Sequence, residues 1–205
     1  MEYNVLIGGA AGQGMETLSR IFERLLKRKG FMVFAIKDYM SRVRGGHNFT
    51  QIRFGDEALS SHRDDLDCII ALNSETVALH LERLKEKGVV ICDIETGAED
   101  ERVMKIPMKD IAREAGNVKT SGSAALGAAL KLFGIKPDGM EGILRSFFNR
   151  EVAQKNLTAF ENGYQQAETV FEVPDVREDS RLLVNGNQAV AMGALAAGCK
   201  FYTAY

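Results

Sequence analysis

Residues 3–36 read YNVLIGGAAGQGMETLSRIFERLLKRKGFMVFAI: an apolar run, a glycine-rich turn, an amphipathic stretch and a second apolar run. Leu18, Ile21, Phe22, Leu25 and Leu26 recur at helical spacing, and Gly30 is placed to stop the helix. YNVLIG (3–8) and FMVFAI (31–36) suit strands. The order predicts a βαβ opening.

The alternation continues along the chain. FTQIRF (49–54) alternates like a half-exposed strand, and LDCIIAL (66–72) is apolar throughout, like a buried central one. Asn73 and Ser74 can cap a helix over ETVALHLERLKEKG (75–88), which Gly88 ends before a strand over VVICDI (89–94). After residue 107, the stretches KDIAREAG, SGSAALGAALKLFGI, DGMEGILRSFF and VAQKNLTAFENGYQQAETVF all read as helices. The expected class is α/β, a Rossmann-like, mostly parallel sheet with helices on both faces and a helical C-terminal half. Small residues crowd the stretch from Ser121 to Ala129, so that another backbone can come close, as in a helix buried under the sheet.

With 205 residues and 45% hydrophobic composition, the chain can bury one α/β core of ordinary size. Its formal net charge of −2 supplies no basic field for nucleic acid, and Lys27, Arg28 and Lys29 read as the solvated end of a helix. No apolar run approaches the ~20 residues of a bilayer-spanning helix, and no leader-like segment opens the chain; a cytoplasmic protein with no membrane partner is expected. Cys68, Cys92 and Cys199 lack the CxxC spacing of metal sites, and the first two sit in strand-like runs as small buried hydrophobes. His62 and His80 fall in a polar loop and a helix, in no ligand pattern.

Two stretches could carry chemistry. Gly9-Ala10-Ala11-Gly12-Gln13-Gly14 follows a strand and precedes a helix, where backbone N–H groups and a helix N-terminus attract an anion. Against the dinucleotide fingerprint the middle glycine is Ala11, and Asp38 stands near the place of the ribose-binding acid with Lys37 beside it. A dinucleotide, another anion and a ligand-free turn all stay open. In SRVRGGHNFTQIRFG (41–55), Arg42 and Arg44 flank a valine, Gly45 and Gly46 free the backbone, and His47 and Asn48 enter a strand. Arginines beside glycines suit phosphate or carboxylate, because the guanidinium fork binds such groups in pairs. No serine, cysteine or carboxylate is obviously placed to work with His47, so a hydrogen-bonding role is expected for it.

The end of the chain poses a separate problem. VPDVREDSR (173–181) is linker-like, and LLVNGNQAVAMGALAAGCKFYTAY (182–205) reads as strand, small-residue helix, strand. Such a unit cannot bury its faces alone. It is expected to dock on the first domain, complete a partner's sheet, or continue in a longer polypeptide.

The strand followed by GAAGQGM, then SRVRGGHNFTQIRFG, SGSAALGAALKLFGI and NLTAFENGY, together resemble the gamma domain of 2-oxoacid:ferredoxin oxidoreductases. These are thiamine-diphosphate enzymes that oxidise pyruvate, 2-oxoglutarate and related acids to acyl-CoA. The resemblance covers roughly residues 3 to 170, and the last 24 residues resemble the start of the alpha, pyrimidine-binding domain, which many members fuse behind the gamma domain. It implies a gamma-type domain over 1–172, a linker over 173–181 and the truncated start of an alpha domain over 182–205. It implies that no cofactor is held by this chain alone: thiamine diphosphate sits between the alpha domain and a beta subunit, and iron–sulfur clusters lie in other domains or subunits. A beta subunit and a ferredoxin or ferredoxin-like subunit are the implied partners, in an oligomer. The role implied is an assembly interface and the rim of a coenzyme A site, with Gly9, Gly12, Gln13, Gly14, Arg44, Gly45, Gly46, His47 and Asn48 as rim residues and none catalytic. An independent Rossmann-type nucleotide-binding or regulatory module is the competing expectation.

Overall fold

The structure, a computed structural model, describes residues 1–39, 46–174, 176 and 181–204. β1 (Glu2–Ala10) lengthens the first apolar run at both ends, and the turn after it leads into α1 (Met15–Arg28) and β2 (Met32–Asp38). β3 (His47–Gly55), β4 (Leu66–Ala71), α2 (Ser74–His80), β5 (Leu84–Asp93) and β6 (Val103–Ile106) follow. The helical half comprises α3 (Met108–Glu114), α4 (Ser121–Leu132), α5 (Met140–Phe147) and α6 (Arg150–Gln165), and α7 (Gly186–Ala196) stands near the end of the chain. The strands form one sheet in the order β2-β3-β1-β4-β5-β6. β4 is parallel to β1, β5 to β4 and β6 to β5, whereas β3 is antiparallel to both β1 and β2. The expected α/β class holds, and the opening βαβ unit is split by β3.

The two faces of the sheet are covered unequally. Val5, Ile7, Ile52, Phe54, Cys68, Ile70 and Ile91 point into a large core shared with α1, α3, α4, α5 and α6. Leu6, Leu66, Ile69, Val90 and Cys92 point to the other face, where Val77 of α2 joins a much smaller cluster. Cys68 and Cys92 are buried small hydrophobes, as expected, whereas Cys199 is exposed, and burial pushes the Cys68 thiol well above its ordinary value. In the large core, Phe54 meets Phe31 at 5.4 Å and Phe133 at 5.2 Å, both edge-on; each such ring contributes about 2–3 kcal/mol by burial.

α4 is the expected small-residue helix under the sheet. Gly127 lies against the backbone of Phe160 and Tyr164, and Gly163 against the backbone of Ala124, so that α4 and α6 meet with no side chain between them at those points. Four local expectations change. The helix expected to Gly88 stops at His80, passes through a 3-10 turn over Leu81–Arg83, and enters β5 at Leu84. Leu84 pairs with Leu66, and Lys85 binds the Asp67 carboxylate at 2.8 Å and that of Asp65 at 3.2 Å, ties that a continued helix would break. β3 is interior and mostly buried instead of half-exposed, because β2 covers its other edge; buried Gln51 accepts from Arg83 and donates to the Arg63 carbonyl. Four-residue β6 carries too short a pattern to have been read. Finally, of the terminal strand–helix–strand, α7 alone forms among the described residues. A strand needs a neighbour for its backbone groups, and none is offered to residues 182–184 or 200–204 here.

Candidate functional site

The glycine loop sits at the carboxyl end of β1. Ala10 N–H donates to Gln13 Oε1 at 2.7 Å, and Gln13 Nε2 donates to the Leu72 carbonyl at 3.1 Å, so the Gln13 amide ties the loop to the end of β4. The glycines divide by task. A β-carbon on Gly9 would stand 2.7 Å from Gln13 Oε1, and one on Gly8 would stand 3.1 Å from the His47 ring, so these two make room for neighbours. Gly12 (φ 93) and Gly14 (φ 78) turn the chain through the left-handed region beside open space. Gly14 is the N-cap of α1 and offers no side-chain cap, which leaves the first-turn N–H groups of that helix turned outward.

These N–H groups face a cleft of about 440 Å³, lined by Gly12, Gly14 and Thr17 on one side and by Lys119, Ser121 and Asn156 on the other. The N-terminus of α4, which also has no side-chain cap, opens on the same cleft. At its floor Ser123 Oγ donates to Asn156 Oδ1 at 2.7 Å, and Asn156 Nδ2 donates to the Val152 carbonyl at 2.8 Å. Three of the four stretches that carried the family resemblance, GAAGQGM, SGSAALGAALKLFGI and NLTAFENGY, thus meet in one place. Two positive helix ends and the exposed Lys119 suit an anionic group.

The fourth stretch enters through pairing in the sheet. His47 lies opposite Ala10, and Asn48 opposite Gly9. Strand alternation turns Asn48 to the α1 face and His47 to the α2 face, where its Nε2 lies 2.8 Å from Nε2 of His80. The hydrogen-bonding role expected of His47 is what the structure shows. Burial holds both rings neutral, lowering His47 and bringing His80 from 6.5 to about 4, with His47 and Arg83 adding to the effect on His80. Of the expected rim, Gly12, Gln13 and Gly14 line the cleft, whereas Gly9, Gly46, His47 and Asn48 stand outside its lining. Arg42, Arg44 and Gly45 lie outside the described residues. The motifs already held Ser121, Ser123 and Asn156, but only spacing across 33 residues joins the last two; no signal singled out Thr17 or Lys119. Among the described residues, no three His, Cys, Asp or Glu side chains could hold a metal ion, and no helix is long and apolar enough to cross a membrane.

The molecule is therefore an α/β domain with two helix ends turned to one cleft at the carboxyl edge of a mixed sheet, that of α1 uncapped and that of α4 preceded by a 3-10 turn that Asn117 caps. It belongs to the pyruvate ferredoxin/flavodoxin oxidoreductase family, whose model matches residues 4–166. The chain is 22% identical to the 2-oxoacid:ferredoxin oxidoreductase subunit alpha of a Sulfolobus species, over all of this chain and 40% of that one. It is 27% identical to the common subunit gamma of the pyruvate/ketoisovalerate oxidoreductases of Pyrococcus furiosus, over 80% of this chain and 96% of that one. Among solved structures, the 2-oxoglutarate:ferredoxin oxidoreductase of Magnetococcus marinus, with 2-oxoglutarate, coenzyme A and succinyl-CoA bound, superposes with a TM-score of 0.87. The identity there is 26%, over 96% of this chain and 37% of that one. The chain thus spans about 40% of the length of the alpha subunits it matches.

Proposed function

We propose that this chain supplies the gamma-type unit and the opening of an alpha domain to a 2-oxoacid:ferredoxin oxidoreductase, where it serves as assembly interface and as rim of the coenzyme A site. The observation that carries this reading is the match along 96% of the chain to a 2-oxoglutarate:ferredoxin oxidoreductase that holds coenzyme A. The division into 1–172, 173–181 and 182–205 is supported by burial: the described residues before 173 build the core, whereas those from 181 to 204 are exposed throughout. Positions 175 and 177–180 of the linker lie outside the described residues.

The donors of the cleft fit a phosphate-bearing ligand such as coenzyme A. Thiamine diphosphate, held by a beta subunit and the alpha domain, would supply the carbanion chemistry of decarboxylation, and iron–sulfur groups in a ferredoxin-like subunit would take the electrons. A 2-oxoacid such as 2-oxoglutarate, which the similar Magnetococcus marinus enzyme binds, is the substrate class in this reading, with branched or general 2-oxoacids as the other members. This chain's share is to bind and orient: Gly12, Gly14 and the end of α4 present N–H groups to an anion, and Arg44, with Gly45 and Gly46, contributes from the β2–β3 connection.

In the assembled enzyme, Arg44→Ala is expected to raise the apparent KM for coenzyme A about tenfold with little change in that for the 2-oxoacid, because of these two ligands coenzyme A alone carries phosphates for a guanidinium to bind. Equal effects on both substrates would remove the coenzyme A role. Co-purification of the tagged chain with a thiamine-binding subunit tests the assembly role; a chain that stays monomeric and binds a dinucleotide would overturn it.

A further inference from the structure

His47 opens β3 and His80 closes α2, and only 7% and 6% of these residues are exposed. A hydrogen bond between their Nε2 atoms needs one donor and one acceptor. Arg83, in the turn after α2, decides which is which. A guanidinium has donors only, and Arg83 Nη1 lies 3.1 Å from His80 Nδ1. His80 Nδ1 therefore accepts, its proton sits on Nε2 and is donated to His47 Nε2, and His47 carries its own proton on Nδ1. Arg83 is held in turn: Nη2 donates to Gln51 Oε1 at 2.7 Å and Nε to the Asp64 carbonyl at 3.0 Å. Phe49 packs against both rings, 4.8 Å from that of His80 and 5.9 Å from that of His47.

We infer that Arg83 and His80 are positioning residues, which lock His47 as the neutral Nδ1–H tautomer and thereby hold the head of β3 against the glycine loop that lines the cleft, with Gly46 and Asn48 as coenzyme A rim residues beyond that lining. This rests on the reading of the rim proposed above. His47 spends Nε2 on His80 and is buried, so its own part is to anchor the head of β3 from the α2 face while Asn48 turns to the α1 face beside Gly9. Among the described residues, the charged groups around the pair are Arg83 after α2, Glu75 on α2 and Asp38 at the end of β2. A proton added to either ring sets donor against donor, at Nε2 between the histidines or at Nδ1 against Arg83, and the anchor is lost.

Ring-nitrogen spectra of the full chain labelled with 15N-histidine read the tautomers directly. At pH 7 His80 is expected to show a protonated Nε2 and a bare Nδ1, and His47 the reverse; the opposite pattern, or either ring charged at pH 7, overturns the inference. In the assembled oxidoreductase His80→Leu is expected to raise the coenzyme A KM about tenfold with the 2-oxoacid KM unmoved, and His80→Gln, which keeps a donor toward His47, to recover most of it. The wild-type coenzyme A KM rises as the pH falls toward about 4, where His80 takes up a proton in the folded chain, and His80→Gln flattens that rise. If His80→Leu does not fold, Arg83→Met replaces it: an unaltered tautomer pattern there overturns the inference. Asn48→Ala separates the two readings. If it raises the coenzyme A KM and His80→Leu does not, the positioning role falls and the rim stands; if neither moves it, the rim reading falls and the inference with it.

Discussion

His47 and His80 are neutral in the folded chain because burial penalises their charged forms, and this sets a pH window for stability. Their folded values lie below the ordinary 6.5, so between that value and about 4, where His80 titrates, the unfolded chain binds more protons than the folded one. Stability is complete above 6.5 and falls as the pH drops through this window. The melting temperature is expected to decline there in the wild type and to stay flatter in a His47→Gln/His80→Gln double variant; equal slopes in both would remove the pair as the cause. Glu2 acts lower on the scale, since Arg53 and Arg63 beside it hold its carboxyl below 4.5. His47 was readable as a hydrogen-bonding residue, from the lack of catalytic companions. Its partner was not, because His80 is 33 residues away and reaches it only after β3 has paired with β1 and α2 has folded onto the sheet.

Helices α4 and α6 show what small residues do when they face one another. Gly163 has the Ala124 carbonyl where a β-carbon would go, and Gly127 has that of Phe160. Gly163→Ala is expected to cost roughly 3 kcal/mol, since backbone, unlike the end of a flexible side chain, cannot step aside. Urea denaturation checks this, and a loss below about 0.5 kcal/mol would mean that the helices slide apart at little cost. The crowding of small residues made a close approach legible in the sequence, but not the identity of the facing helix. The end of α2 at His80 differs from the boundary at Gly88 that the sequence predicts, for a physical reason. Leu81 and Leu84 continue a helical spacing, and only the sheet register, with Leu84 opposite Leu66 and Lys85 on Asp67, draws that segment into β5.

In the molecule as a whole, the described residues from 181 to 204 are exposed, including Leu182 at 72% and Phe201 at 82%. They add nothing to the core of the first domain. Proteolytic removal of this segment is expected to leave the melting temperature within about 2 °C, because a loss of 1 kcal/mol at this size already moves it by roughly that much. A drop of about 5 °C or more would show that the segment is docked. The alternation of apolar runs, the helix spacings, the glycine turn and the Asn73 cap were all legible along the chain, since each depends on residues a few positions apart. The place of β3 between β1 and β2, the unequal faces of the sheet, the cleft joining Gly12 to Lys119 and Asn156, and the His47–His80–Arg83 relay came only with the fold. Strand order and register bring together groups tens of residues apart, and no local periodicity records which of them will meet.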